Sequence, residues 1–250
     1  ISLAIVLGII KNPNTNAIIY RKVGSTVYES VYTQILWAID RLNLTNWFKY
    51  YKQPMKMVYL PTGQEIMFKG CDDPQKSKSI KPKKGYFGYC WFEEATDFQG
   101  LDEIENIVQS VARSGLGKTA IFLSYNPPQS VQSWINAEVL RPQQNRFIHH
   151  STYLSIRPDL LGEQFIKIAE YKKQTNEKQY NHIYLGEVTG TGGEVFDNIE
   201  SREITDREID HFDYLYTGLD FGFAVDPVAI VKASYNSSKK ELYIFDEFYR

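Results

Sequence analysis

Three short, almost unbroken apolar runs constrain the fold of this chain more than any other feature. They are residues 17–20 (AIIY), 86–92 (YFGYCWF) and 119–123 (TAIFL). A strand wetted on one face alternates apolar with polar residues, whereas one covered on both faces reads as a continuous apolar run. Amphipathic segments lie between these runs: 25–42, with Val27, Val31, Ile35, Leu36 and Ile39 on one face, and 101–111. Strands alternating with helices predict a parallel α/β arrangement over residues 1–185. Residues 1–10 read as a buried helix, broken by Lys11-Asn12-Pro13-Asn14. Residues 57–60 and 65–68 read as a hairpin around Pro61-Thr62-Gly63. Residues 146–149 read as a further short strand, and 160–184 as helix in two pieces that part near Thr175-Asn176.

Beyond Gly190 the pattern changes. Between Glu194 and Asp213 eight acidic residues face only Arg202 and Arg207, with little apolar periodicity. Short strands follow at 214–219, 228–233 and 241–245, with Asn236-Ser237-Ser238 as a turn. The expected division is one α/β unit over 1–189, a linker over 190–212 and a strand-rich part over 213–250. With 43% hydrophobic and 14% aromatic residues the 250-residue chain is no disordered polymer. Its 28 Lys+Arg against 30 Asp+Glu exclude a uniformly basic coat, so any nucleic-acid contact must come from local patches. Cys71 and Cys90 give no disulfide framework and suit a reducing compartment. The opening ISLAIVLGII is too short to span a bilayer and lacks the basic flank of a signal peptide. The chain begins at Ile1 rather than Met and its last strand pattern is still ending at Arg250, so both ends are expected to be cuts within a longer protein.

The chemistry concentrates at two strand ends. The first is YCWFEEATDF, residues 89–98. P-loop ATPases use an apolar strand ending in acids to hold Mg²⁺ and orient the attacking water. Here Glu93 would reach the metal and Glu94 would polarise the water; the same pair could instead cap the following helix or face solvent. The next strand ends at SYNPP, residues 124–128. Parallel packing would bring its tip beside the acids, so Ser124 or Asn126 could sense the γ-phosphate, although Asn-Pro is also an ordinary turn. Residues 114–119 (SGLGKT) imitate a phosphate loop. The pattern needs glycine where Ala112 stands, and the segment precedes a strand instead of following one. No phosphate loop is present, and the helix over 1–10 is the kind that should follow one.

The second strand end is GLDFGFAVDP, residues 218–227. An aspartate closing an apolar strand between glycines is how two-metal nucleases present a first ligand, here Asp220. Asp226, before Pro227, fits a turn, and Glu247 ends a neighbouring strand. Lys69, Lys76, Lys78, Lys81, Lys83 and Lys84 form a basic stretch against two aspartates. It could track a phosphate backbone or simply be a solvated loop. Arg113 could be an arginine finger or a plain surface residue. The four histidines lack metal-ligand spacing with either cysteine.

Together these residues resemble the large terminase subunit of tailed bacteriophages. YRKVGSTVYESVYTQI (20–35), FKGCDDPQKSKSI (68–80), WFEEATDF, SYNPP, YLGEVTGTGGEVF (184–196) and GLDFGFAVDP are similar to the family's segments in the family's order. The resemblance implies an additional-strand, RecA-like P-loop ATPase core with a mostly parallel sheet, followed by the first strands of an RNase H-like nuclease domain. It implies ATP with Mg²⁺ in the motor and two divalent ions, Mg²⁺ or Mn²⁺, in the nuclease. Glu93 would hold Mg²⁺, Glu94 would be the catalytic carboxylate, Ser124 and Asn126 would couple hydrolysis to movement, and Asp220 would be a nuclease metal ligand. The implied partners are double-stranded DNA, a small terminase subunit, the portal protein and sister copies in a ring, with no membrane. The implied place is the bacterial host cytoplasm, transiently at the procapsid portal. A helicase-like ATPase and a non-catalytic prophage remnant are the competing readings. Without the phosphate loop and the later nuclease carboxylates, the chain alone is expected to show neither activity.

Overall fold

The central strand, β1 (Thr15–Arg21), is buried over its first six residues. That burial is the structural counterpart of its unbroken apolar run. The computed structural model describes residues 1–72, 80–112, 117–190, 200–221 and 228–249. By their contacts these fall into two units, Ile1–Glu194 and Val195–Arg250.

In the first unit six strands form one sheet. Its spatial order is β2 (Phe48–Lys52), β3 (Met55–Tyr59), β4 (Glu65–Gly70), β1, β5 (Tyr86–Glu93) and β6 (Ala120–Ser124). β4 and β5 flank β1 in parallel, β6 runs parallel to β5, and β3 and β2 continue the sheet antiparallel. The sheet is therefore mostly parallel, and the expected hairpin is β3–β4. β1 alternates its side chains between two cores, as the strand period requires. Ala17 and Ile19 meet Ile5, Val6 and Ile9 of helix α1 (Ser2–Lys11) and Ile35, Ala38 and Ile39 of helix α2 (Thr33–Arg41). Ile18 and Tyr20 meet Phe87, Cys90 and Phe92, covered by Ile104, Ile107 and Val111 of helix α3 (Leu101–Val111). Truncating a ring as buried as Phe92 to alanine would cost about 3–5 kcal/mol.

Two buried amides tie these layers together. Asn16 donates from Nδ2 to the carbonyl oxygens of Lys84 (2.7 Å) and Tyr86 (3.2 Å), and its Oδ1 accepts from the Glu65 amide (2.8 Å). Gln64 donates to the carbonyl of Ile9 (2.6 Å) at the end of α1. Such pairing is what makes a buried polar side chain tolerable. The segments after β1 and β4 also lock. The Asp72 carboxylate accepts from the Gly24 amide at 2.9 and 3.0 Å, and a Cβ on Gly70 would lie 2.3 Å from the Gly24 Cα.

Three sequence expectations need correction. Residues 146–149 form no strand: Phe147 is 87% exposed, and the Arg146 guanidinium turns back to the Glu138 carbonyl (2.7 Å) and carboxylate. A two-residue apolar core between Arg and His-His has no neighbouring ladder to join, and an unpaired strand is not stable. The helix expected over 25–42 is present but not uniformly α: a 3₁₀ turn (Gly24–Thr26) and a π-helical turn (Tyr28–Tyr32) lead into α2. The Tyr32 amide reaches the Val27 carbonyl (3.1 Å) across the widened turn, while the Tyr28 and Tyr32 rings stack at 5.1 Å. β2 was not anticipated, because FKYYK has no continuous apolar run. After helix α4 (Trp134–Val139), the expected break near 175 separates helices α5 (Glu163–Thr175) and α6 (Glu177–Leu185).

The second unit holds a one-turn helix α7 (Asp206–Ile209) and an antiparallel meander, β7 (Tyr216–Asp220), β8 (Ala229–Asn236) and β9 (Glu241–Tyr249). A meander of three strands is an opening that many folds share, and an RNase H-like sheet is not established by it. Among the described residues no helix is long and apolar enough to cross a membrane.

Candidate functional site

β5 and β6 end together: the parallel register sets Glu93 opposite Ser124. Trp91, two residues before Glu93, donates from Nε1 to Ser124 Oγ at 2.8 Å and so fixes the hydroxyl. β1 ends on the other side of β5, with Tyr20 opposite Phe92, and this places Arg21 beside Glu93. Arg21 Nε and Glu93 Oε2 form an ion pair, their side chains 17% and 22% exposed. Neither atom makes another hydrogen bond among the described residues. Burial pushes the Glu93 carboxyl above its usual value, Arg21 pulls it down, and Glu94 and Asp97 push it up again; the net direction is upward.

Trp91, Glu93 and Ser124 border an open cleft of about 420 Å³ at the carboxyl edge of the parallel strands, with Arg21 behind Glu93 and off the cleft wall. Its other walls are Ile1 and Ser2 from the start of α1 and Glu29, Ser30, Thr33 and Gln34. α1 starts at this edge with Ile1 as its N-cap, and no described side chain caps it; helix N-terminal amides are a place where anions bind. Ser2 Oγ accepts from Gln34 Nε2 (3.2 Å), and Ser30 Oγ is buried without a hydrogen-bond partner among the described residues. Two carboxylates, Glu29 and Glu93, with several hydroxyls are a hard-oxygen set of the kind Mg²⁺ takes, and helix N-terminal amides suit phosphate. The residues present therefore fit a magnesium–phosphate ligand.

The structure brings Glu93 and Ser124 together. Glu94 follows on the same strand end in a left-handed conformation (φ 51°, ψ 57°), a strained position for a non-glycine residue, and it lies off the cleft wall. Asn126 is exposed and also off that wall. Lys69 is half-buried on β4, while Lys81, Lys83 and Lys84 are exposed. The Lys83 amide is held by the Glu65 carboxylate (3.3 Å), and that carboxylate is itself paired to Lys56 at 2.6 Å. Lys76, Lys78, Arg113 and Asp226 lie outside the described residues. Asp220 ends β7, exposed, opposite Ala229. Val231 pairs with both Gly218 and Glu247, so Glu247 and Asp220 share a face of the meander. Asp246 takes the other face, bound to Lys232 at 2.8 Å, which holds its carboxyl below the usual range. Among the described residues no three His, Cys, Asp or Glu side chains converge as a metal site would need.

Sequence reasoning missed Arg21 and the α1 end of the cleft. The signal for Arg21 was available: two adjacent apolar runs each end in a charge, of opposite sign.

A mostly parallel sheet covered by helices, with an acid and a hydroxyl paired at its carboxyl edge, defines an α/β protein. Residues 1–187 match the family model described as phage terminase large subunit, and the chain belongs to that family. It is 40% identical over 255 residues to the "Terminase, large subunit" of Bacillus phage SPP1, covering 99% of this chain and 60% of that protein. The chain thus spans about 60% of the length of this relative. The large terminase of a thermophilic bacteriophage superposes over 100% of this chain and 59% of its own, with a TM-score of 0.59 at 14% identity. The same phage's protein in complex with ADP superposes with a TM-score of 0.54 at 12% identity, over 100% and 59%. At these identities the likeness concerns the fold.

Proposed function

We propose that residues 1–189 form the ATP-binding motor part of a large terminase that drives double-stranded DNA into a procapsid. The carrying observation is the Glu93–Ser124 pair at the carboxyl edge of the sheet, facing the start of α1 across one cleft. Glu93 would hold Mg²⁺, the α1 amides and neighbouring hydroxyls would bind phosphate oxygens, and Glu94 would orient the attacking water. Bound Mg²⁺ supplies charge neutralisation at the phosphates. Arg21 keeps the Glu93 carboxylate at the strand end, and Trp91 keeps the Ser124 hydroxyl turned toward the β5 end. Ser124 and Asn126 sit where a change at the nucleotide would pass into the SYNPP segment. That the thermophilic phage's protein is known in complex with ADP supports a nucleotide ligand here.

In the same reading, residues 190–212 join the motor to an RNase H-like nuclease that opens over 213–250. Asp220 is its first metal ligand, and Glu247, on the same sheet face, is a candidate for the same ion pair. Two divalent ions, Mg²⁺ or Mn²⁺, would serve cleavage of concatemeric DNA. Partners are DNA, a small terminase subunit, the portal and sister copies in a ring, in the bacterial cytoplasm. The exposed Lys81, Lys83 and Lys84 are offered as a DNA-backbone contact, and Arg113 as a finger toward a sister copy. The test is fluorescent-nucleotide binding and ATP turnover by the intact gene product. Magnesium-dependent binding that Glu93→Gln weakens at least tenfold supports the assignment. Binding indifferent to both magnesium and Glu93→Gln overturns it.

A further inference from the structure

The strand that carries Ser124 leaves the cleft through Asn126-Pro127-Pro128, and two consecutive prolines have no N–H with which to join a ladder. The segment that follows is nevertheless held from two sides. On one side stands α4. Asn136 donates from Nδ2 to the carbonyl oxygens of Pro128 and Ser130, each at 2.8 Å, which uses both of its amide hydrogens. The same helix reaches the acid end of β5: Trp134 donates from Nε1 to the Phe98 carbonyl (3.0 Å), four residues after Glu94, and Ile135 is buried in the second core. On the other side runs the tail of α6. Ser130 and Gly190 form a parallel bridge, in which the Gly190 amide donates to the Gln129 carbonyl (3.0 Å) and the Val131 amide to the Gly190 carbonyl (3.1 Å). The two runs approach closely: a Cβ on Gly190 would lie 3.1 Å from Gln129 Cγ, and one on Gly186 would lie 3.5 Å from Pro127 Cδ. Residues 127–131 and 186–190 therefore lie side by side. The first run leads away from Ser124, and the second continues along the chain to the second unit, which begins at Val195.

Val131 is 53% exposed, so water could serve the backbone groups here and burial does not require the clamp. Its mechanical effect is that a displacement of one run displaces the other. We propose that Asn136 is a positioning residue which, with the Ser130–Gly190 bridge, makes residues 128–131 the link by which a nucleotide in the Glu93–Ser124 cleft moves the 186–190 run. α4 ties that link to the loop after Glu94 as well, so the tips of β5 and β6 act on it together. Coupling between sites needs an element with discrete arrangements that a ligand favours unequally. Here that element is the bridge, in which Gly190 is either paired with Gln129 and Val131 or released from them. The inference rests on the reading of the cleft as the nucleotide site.

Hydrogen–deuterium exchange read by mass spectrometry on the intact gene product, with and without magnesium and a non-hydrolysable ATP analogue, tests this. In the wild type, exchange over residues 186–190 should change at least threefold when the analogue binds. Asn136→Leu should abolish that change while the affinity for the analogue stays within threefold. A side chain that merely stabilised the fold would instead raise exchange equally with and without nucleotide. Should Asn136→Leu not fold, Gly190→Pro removes the donor to the Gln129 carbonyl, leaves Asn136 in place, and should likewise silence the response over 186–189. Unchanged exchange over 186–190 in a wild type that binds the analogue, or a response that survives both variants, overturns this inference alone. Absence of analogue binding overturns the reading of the cleft and this inference with it.

Discussion

Replacing Arg21 with methionine keeps most of the side-chain bulk and removes the cation paired to Glu93. An exposed ion pair contributes about 0.2–1 kcal/mol, whereas stripping the partner from a fully buried charge costs about 3–5 kcal/mol. With side chains 17% and 22% exposed, this pair falls between those limits, so a loss of about 2 kcal/mol is expected at neutral pH. For a unit of this size that is a fall in melting temperature of about 4–8 °C. The sign with pH follows from Glu93. Its carboxyl is pushed above the usual value by burial, so protonation favours the folded state. That contribution is fully present below the unfolded value of about 4.3 and is lost as pH rises through the folded value. Removing Arg21 deletes the interaction that pulls this value down. The Arg21→Met penalty is therefore largest near pH 7 and shrinks as pH falls toward the carboxylate range. Thermal melts of wild type, Arg21→Met, Glu93→Gln and the double variant at two pH values measure this. The double variant should recover about 1 kcal/mol or more relative to additivity. Additive effects, or a penalty that grows on acidification, would refute the reasoning.

Gly70→Ala places a Cβ 2.3 Å from the Gly24 Cα, backbone that cannot swing aside, so a loss of about 1–3 kcal/mol is expected in chemical denaturation. Trp91→Phe removes the donor to Ser124 Oγ; about 1 kcal/mol of stability should go, with weaker nucleotide binding at an unaltered Glu93. Glu94→Gln should lower ATP turnover of the intact gene product by about 10²–10⁴-fold while nucleotide affinity stays within a few-fold, as steady-state kinetics and binding would report.

The parallel sheet was legible because β1 and β5 are apolar on both faces, and few architectures cover both faces of a strand. The Glu93–Ser124 pairing was legible for the same reason: two buried strands ending in polar residues must present their ends side by side. What could not be read lies where tertiary contacts decide. β2 is held by pairing to β3 and not by its own composition, while residues 146–149 have similar local preferences and no partner strand. The π-helical turn at Tyr28–Tyr32 keeps every apolar residue on the expected face, so its widening leaves no trace in the hydrophobic pattern. The charge that ends the first apolar run marks Arg21, but its pairing to Glu93, 72 positions away, follows only from the strand order that sets β1 beside β5.

The central claim is that the cleft beside Glu93 is the nucleotide site. The most direct measurement is Mn²⁺ anomalous diffraction from crystals of the intact gene product grown with a non-hydrolysable ATP analogue. A metal peak within coordination distance of the Glu93 carboxylate, with phosphate density at the first turn of α1, is the expected result. A nucleotide bound elsewhere, or a metal peak that avoids Glu93 while Arg21 keeps its hold on it, would contradict the account.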